Sequence, residues 1–312
     1  MDNLLIAINV VLPVVFIMLL GYGVRQKEMV TKQTFDEMNF IIFKVLFLFL
    51  MMTNVIQTEL ETALNIPLII MSMLGMTLYL LIIWLIISRT NIVRNKKGAL
   101  LQASFRSNFV LMGLPIIQNL YPNQDIGVTT IMIVFLVPFM NVMSVIILQL
   151  YSDEKMDIKG TMLGILKNPM IVGTFIGCVI KLSGIVLPEA VMKFLVTISS
   201  MTTPLALMIL GGNVQLRTLR SNWRELSFTL GFKLILGPII LVTMAVLLGY
   251  RDIELATILI LSGGPAAVST FPMAVAAGQD VDLSSQAVAT TTVLCVVSMI
   301  IWISILKAMI LI

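Results

Sequence analysis

Long apolar runs broken by short polar clusters recur along the whole chain, and the alternation is slow. A hydrocarbon core ~30 Å thick is crossed by about 20 residues of helix. Runs of that order fall at 4–24, 38–57, 67–88, 99–120, 127–150, 169–187, 190–212, 226–249, 254–277 and 285–310. Within each run the apolar residues are continuous, with no in–out alternation. Only helices and closed barrels satisfy backbone polar groups in lipid, and a continuous pattern selects helices. The expected fold class is therefore an all-α polytopic membrane protein with ten transmembrane helices.

Composition sharpens this reading. Apolar residues make up 59% of the chain and charged ones 12%, which leaves little for a soluble domain. The first run is not expected to be a cleaved signal peptide, because Asp2 precedes it and no Lys or Arg does. The charges gather between the runs with a clear bias. Arg25, Lys27 and Lys32 lie between the first two runs, and Arg89, Arg94, Lys96 and Lys97 between the third and fourth. Lys155, Lys159 and Lys167 follow the fifth, and Arg217, Arg220 and Arg224 the seventh. The alternate connections carry Glu59 and Glu61, then Asp125, then Lys181 with Glu189, then Arg251 with Asp252 and Glu254. Basic loops stay in the cytoplasm, so both termini are expected outside a bacterial cell membrane. The net charge of +4 is this topological signal. No basic face interleaved with aromatics suggests nucleic acid as a partner.

Several chemistries are disfavoured. The chain has no histidine, and no Asp or Glu lies deep in an apolar run, so neither a catalytic acid–base pair nor a metal site is expected. Cys178 and Cys295 both sit in apolar runs and read as buried thiols. The many Met residues read as adaptable packing and not as a copper path. No Gly-x-x-x-x-Gly-Lys segment appears, which excludes a P-loop ATPase. No cofactor is expected, the surrounding partner is membrane lipid, and a homodimer is left open.

The two halves echo each other. Pro13 and Pro169, Gly21 and Gly177, and Gly75 and Gly231 are each 156 positions apart, and Pro115 and Pro272 are 157 apart. With five runs per half, the second half would be inverted, giving repeats 1–150 and 169–312 joined by a cytoplasmic loop 151–168. Inverted repeats mark secondary transporters, with the substrate site near the midplane where helices are discontinuous. The fourth run of each half carries the breaking residues: Gly113 and Pro115 in one, Gly264 and Pro265 in the other. Asn108, Ser269 and Thr270 beside them can bond a small polar solute. Arg106, Lys44 and Lys233 also lie within runs. The two lysines are within reach of the interface and are expected to snorkel. Arg106 lies deeper, with no intramembrane acid to pair with it. Either a substrate carboxylate is its partner, or the side chain snorkels or bonds helix-end carbonyls.

Phe105-Arg106-Ser107-Asn108 through Gly113-Leu114-Pro115 resembles the fourth-helix segment of the auxin efflux carrier family, which includes bacterial malate and malonate permeases. Pro265-Ala266 resembles the family's ninth-helix crossover, Asn141 a polar position on its fifth helix, and Thr203-Pro204 through Gly211 its seventh-helix signature. The resemblance implies a ten-helix inverted repeat, a carboxylate held at Asn108, and alternating access by a moving crossover domain. It departs from the family where Leu46-Phe47-Leu48-Phe49-Leu50 lacks a second-helix proline and where 76–87 lacks the charge of the plant carriers. Those departures favour a small mono- or dicarboxylate such as malate over auxin. The expected protein is a permease and not an enzyme. A receptor or scaffold of the same fold is the other class, though the chain offers it no output domain.

The topology is open to direct test in a background lacking Cys178 and Cys295. A cysteine introduced at position 60 should react with an impermeant thiol reagent added outside intact cells, and one at position 95 should be protected. The reverse pattern would invert the orientation.

Overall fold

The computed structural model describes residues 2–57, 65–109, 113–122, 126–152, 166–215 and 218–312. Within them the fold is all helical: α1 (Asp2–Gln26), α2 (Lys32–Gln57), α3 (Ile66–Ser88), α4 (Arg94–Phe105), α5 (Leu114–Leu120) and α6 (Gly127–Leu150) come first. Then follow α7 (Pro169–Leu182), α8 (Glu189–Asn213), α9 (Trp223–Leu247), α10 (Asp252–Gly263), α11 (Thr270–Ala276) and α12 (Val281–Ala308). Six of these, α2, α3, α6, α8, α9 and α12, are long and apolar enough to cross a membrane by themselves. Loop residues Glu59, Glu61, Asp125, Lys155, Lys159 and Arg217 lie outside the described residues, as does most of 151–168.

Helix starts follow local chemistry. Asn65 accepts the Leu68 N–H at 3.1 Å with Pro67 in the first turn of α3, and Asn168 accepts the Met170 N–H at 3.0 Å ahead of Pro169 in α7. Asp280 caps α12 through the Leu283 N–H at 2.7 Å. Each places a side-chain acceptor on an orphaned amide, and proline costs nothing where the amide would be unpaired anyway. Gly278, at φ 68°, makes the left-handed turn that lets α12 follow α11.

Two helices carry a π-turn, α2 at Ile42–Leu46 and α9 at Phe232–Leu236, and each holds a lysine. Their fates differ. Lys44 is exposed, as a snorkelling side chain should be. Lys233 is fully buried, which corrects the expectation that it reaches the interface. Its side chain points inward, towards the end of α4. Neither cysteine is in a disulfide; Cys295 is buried and Cys178 only half-buried.

Helices pack closest along two glycine seams. In the α1–α8 seam a Cβ at Gly21 would overlap the Met208 carbonyl, and one at Gly211 the Met18 carbonyl. In the α2–α7 seam a Cβ at Gly173 would overlap the Leu48 carbonyl, and one at Gly177 would stand 2.8 Å from the Met52 carbonyl. Lipid tails are as apolar as leucine, so burial gives membrane helices little reason to associate. Backbone-to-backbone contact across small residues supplies van der Waals attraction in its place. Adding one methyl to such a seam costs about 1–3 kcal/mol, because backbone has to shift.

Gly21→Ala and Gly211→Ala should each lower the melting temperature of the detergent-purified protein by several degrees. Gly23→Ala is the internal control. It lies on the same helix with open space around it, so it should leave the melting temperature unchanged or raise it slightly. Equal behaviour of the three variants would mean the seam carries no packing energy.

Candidate functional site

The chain leaves helical conformation twice inside the apolar core. After α4 the backbone is extended at Arg106 (φ −79°, ψ 126°), and after α10 at Gly264 (φ −60°, ψ 158°). Pro265 explains the second break: it disfavours α conformation in the residue before it and has no N–H to donate. Gly264 is required there, since a Cβ would stand 2.6 Å from the Ile260 carbonyl and 2.8 Å from Ser107 Oγ. Gly113 and Pro115 serve differently from expectation. Gly113 precedes α5 and Pro115 lies in its first turn, so they start the second half-helix and do not end the first.

The two extended segments cross. Ser107 and Ala266 form an antiparallel bridge, with the Asn108 N–H donating to the Pro265 carbonyl at 2.8 Å. The Ala266 N–H is held by Thr291 Oγ1 of α12 at 3.1 Å. At the end of α4, the Tyr79 hydroxyl donates to the Ser104 carbonyl at 3.0 Å and the Lys233 ammonium to the Phe105 carbonyl at 3.4 Å. Three of the backbone groups freed by the breaks thus find partners on α3, α9 and α12, as buried polar groups in an apolar medium require.

A cavity of about 70 Å³ lies against the crossing. Arg106, Asn108, Asn141 and Ser269 all line it. Thr270 does not; it is fully buried behind Ser269, with its hydroxyl unpaired among the described residues. Three polar residues that the sequence reading did not select also line the cavity: Asn54 of α2, Ser107 beside Arg106, and Thr203 of α8. Asn54 was legible as a lone amide inside an apolar run. Thr203 sat in the Thr203-Pro204 signature without being chosen.

Arg106 is the dominant charge of the site, 3% exposed. Its guanidinium donates to Asn141 Oδ1, to the Met273 sulfur, and to the Met170 sulfur at 3.6 Å. Of the alternatives left open by the sequence, neither helix-end carbonyls nor the interface takes this side chain. A side-chain amide and two thioethers do. Thioether sulfur is a weak acceptor and guanidinium carries five donors, so the group is held in place but under-satisfied. Neighbouring amides are in the same condition: Asn141 Nδ2 lies 3.9 Å from the Met51 sulfur and Gln102 Nε2 3.8 Å from the Met273 sulfur. Among the described residues no carboxylate lines the cavity. Among the described residues no three His, Cys, Asp or Glu side chains come together as a metal site would require.

Apolar helices of spanning length, broken helices crossing in the core and a buried cation facing a cavity define a membrane-embedded protein with a polar site inside it. A family described as membrane transport protein matches residues 6–303. The chain therefore belongs to that family, the auxin efflux carriers, a family of transporters and not of enzymes. No curated protein matches the chain.

Asn141→Leu should destabilise the purified protein by about 2 kcal/mol, because it leaves a buried charged donor with thioethers alone. The measurement is thermal or denaturant unfolding in detergent. Asn141→Asp, which restores an oxygen acceptor, should recover most of the loss.

Proposed function

We propose that this chain is a secondary transporter of small organic anions, a mono- or dicarboxylate such as malate, which works by alternating access of the crossing helices. The observation that carries the proposal is the state of Arg106. A buried guanidinium resting on one amide oxygen and two thioethers is a better partner for an entering carboxylate than for what it now touches. Asn108, Asn141 and Ser269 converge on the same cavity and offer donors to the remaining oxygens. With no fixed acid at the site, the positive potential is unopposed.

The proposed architecture is ten transmembrane helices in two inverted five-helix repeats, 1–150 and 169–312, in the cell membrane with both termini outside. Packing supports the repeat. Gly21 meets Met208, and Gly177 meets Met52. Both members of the first contact become the members of the second when one number is raised and the other lowered by 156. Thr202 Oγ1 bonds the Leu46 carbonyl at 3.2 Å, again two positions 156 apart, as residues beside a pseudo-two-fold axis would. Size supports alternating access. At about 70 Å³ the cavity holds on the order of two water molecules. A dicarboxylate needs the wall to retreat, and Met51 and Met140 are flexible enough to do so.

Purified protein in liposomes should take up or exchange radiolabelled malate, malonate or a monocarboxylate. Asn108→Ala should weaken binding about tenfold or more while the protein stays monodisperse. Arg106→Lys should also impair it, since an ammonium lacks the planar fork. Liposomes that accumulate no carboxylate under any ion gradient or counterflow regime would refute this solute class. Unchanged affinity in both variants would move the site elsewhere.

A further inference from the structure

Lys233 is the second buried cation of the crossing, and the anion site does not use it. It is absent from the cavity lining and 0% exposed. Its ammonium donates to the carbonyl of Phe105, the last residue of α4. Among the described residues the one ion pair is Lys96–Glu225, so no carboxylate neutralises Lys233. An unpaired charge at this depth is costly and needs a reason.

The surroundings supply one. Helix α4 ends at Phe105 and α10 at Gly263, and each end presents carbonyls with the negative pole of its helix. Lys233 stands on α9 between them. Four residues further on, a Cβ at Gly237 would lie 3.0 Å from the Ser262 carbonyl and 3.6 Å from Tyr79 Cζ. Tyr79 itself bonds the Ser104 carbonyl, while Ser104 Oγ is buried without a partner among the described residues. Half-helix ends and unwound carbonyls of this kind are where secondary transporters coordinate a coupling cation. In this chain a side chain reaches that position, from the π-turn Phe232–Leu236.

We propose that the Lys233 ammonium is a built-in monovalent cation of the crossing, occupying the position that a free monovalent cation would otherwise take. The inference does not need the transporter reading for its test. Lys233 acts as a positioning residue: it holds the end of α4, and through it Arg106, without touching the solute.

The test is a melting comparison of purified protein in sodium, potassium and choline chloride at equal ionic strength. Wild type should melt at one temperature in all three. Lys233→Ala, which removes the ammonium and leaves the carbonyls, should gain stabilisation by sodium or potassium over choline, about 2 °C or more and rising with concentration. Lys233→Met, which fills the space with an apolar chain, should show no such gain. Should Lys233→Ala aggregate on extraction, sodium or potassium during extraction should recover a monodisperse protein where choline does not. A saturable sodium effect on wild type, or a Lys233→Ala variant indifferent to all three cations, overturns the proposal. A merely structural lysine would lower the melting temperature on substitution without creating cation dependence. If no carboxylate is transported, the solute assignment fails and the melting comparison still decides this one.

Discussion

A helix that stops inside a membrane leaves backbone groups facing hydrocarbon, and the rest of this structure is arranged around two such stops. Each helix end frees up to four carbonyls or amides, and an unsatisfied one costs several kcal/mol in lipid. Breaking α4–α5 or α10–α11 alone would be prohibitive. Breaking both at one level allows them to pair, through Ser107 and Ala266 and the Asn108–Pro265 hydrogen bond. What pairing leaves over is taken by Tyr79, Thr291 and Lys233. The polar cavity exists because extended backbone exists at that depth, and the extended backbone survives because three neighbouring helices supply partners. Function and stability therefore draw on the same residues here.

The glycine seams complement this. Around the crossing, contacts are long side chains, many of them methionine, which can repack. In the α1–α8 and α2–α7 pairs, contacts are backbone on backbone, with no side chain between to adapt. A helix pair of that kind moves as a unit or not at all, because a shift of an ångström brings main-chain atoms into overlap. Stiff pairs beside an adaptable centre are the mechanical condition that alternating access requires in the proposed transporter.

Much of the fold was legible in the sequence. Apolar run length is a direct physical consequence of bilayer thickness, and the described helices follow the predicted runs, extended by polar turns such as Lys32–Glu37 of α2 and shortened at Leu182 of α7. The breaks were legible to within a few residues. Pro265 marks its break because proline restricts its predecessor. Pro115 misleads slightly, because a proline is equally at home in a first turn, and sequence cannot say whether it ends one helix or begins another. Arg106, Asn108, Asn141 and Ser269 were legible as candidates from polarity, depth and resemblance. Their convergence was not, since it depends on the crossing of segments some 160 positions apart. Lys233 was misread for a related reason. Distance from a helix end indicates how far a lysine must reach, but not which way it points, and a π-turn rotates that direction without leaving any pattern in composition.

The charge balance of the core follows from these placements. Two helix carboxyl ends bring partial negative charge to the crossing, the amino ends of α5 and α11 bring partial positive charge, and Arg106 and Lys233 are both buried there. The half-charges of the four helix ends at the crossing, two carboxyl and two amino, cancel in sum, and no acid among the described residues is paired with either cation. A protein that only needed to cap its helix ends would not retain the surplus, because a buried charge is more cheaply replaced by an apolar side chain of the same volume. The surplus is economical if the resting site is one half of an ion pair and the other half arrives with the solute. On this argument the cation count of the crossing, more than the shape of the cavity, is what favours an anion as the solute of the proposed transporter.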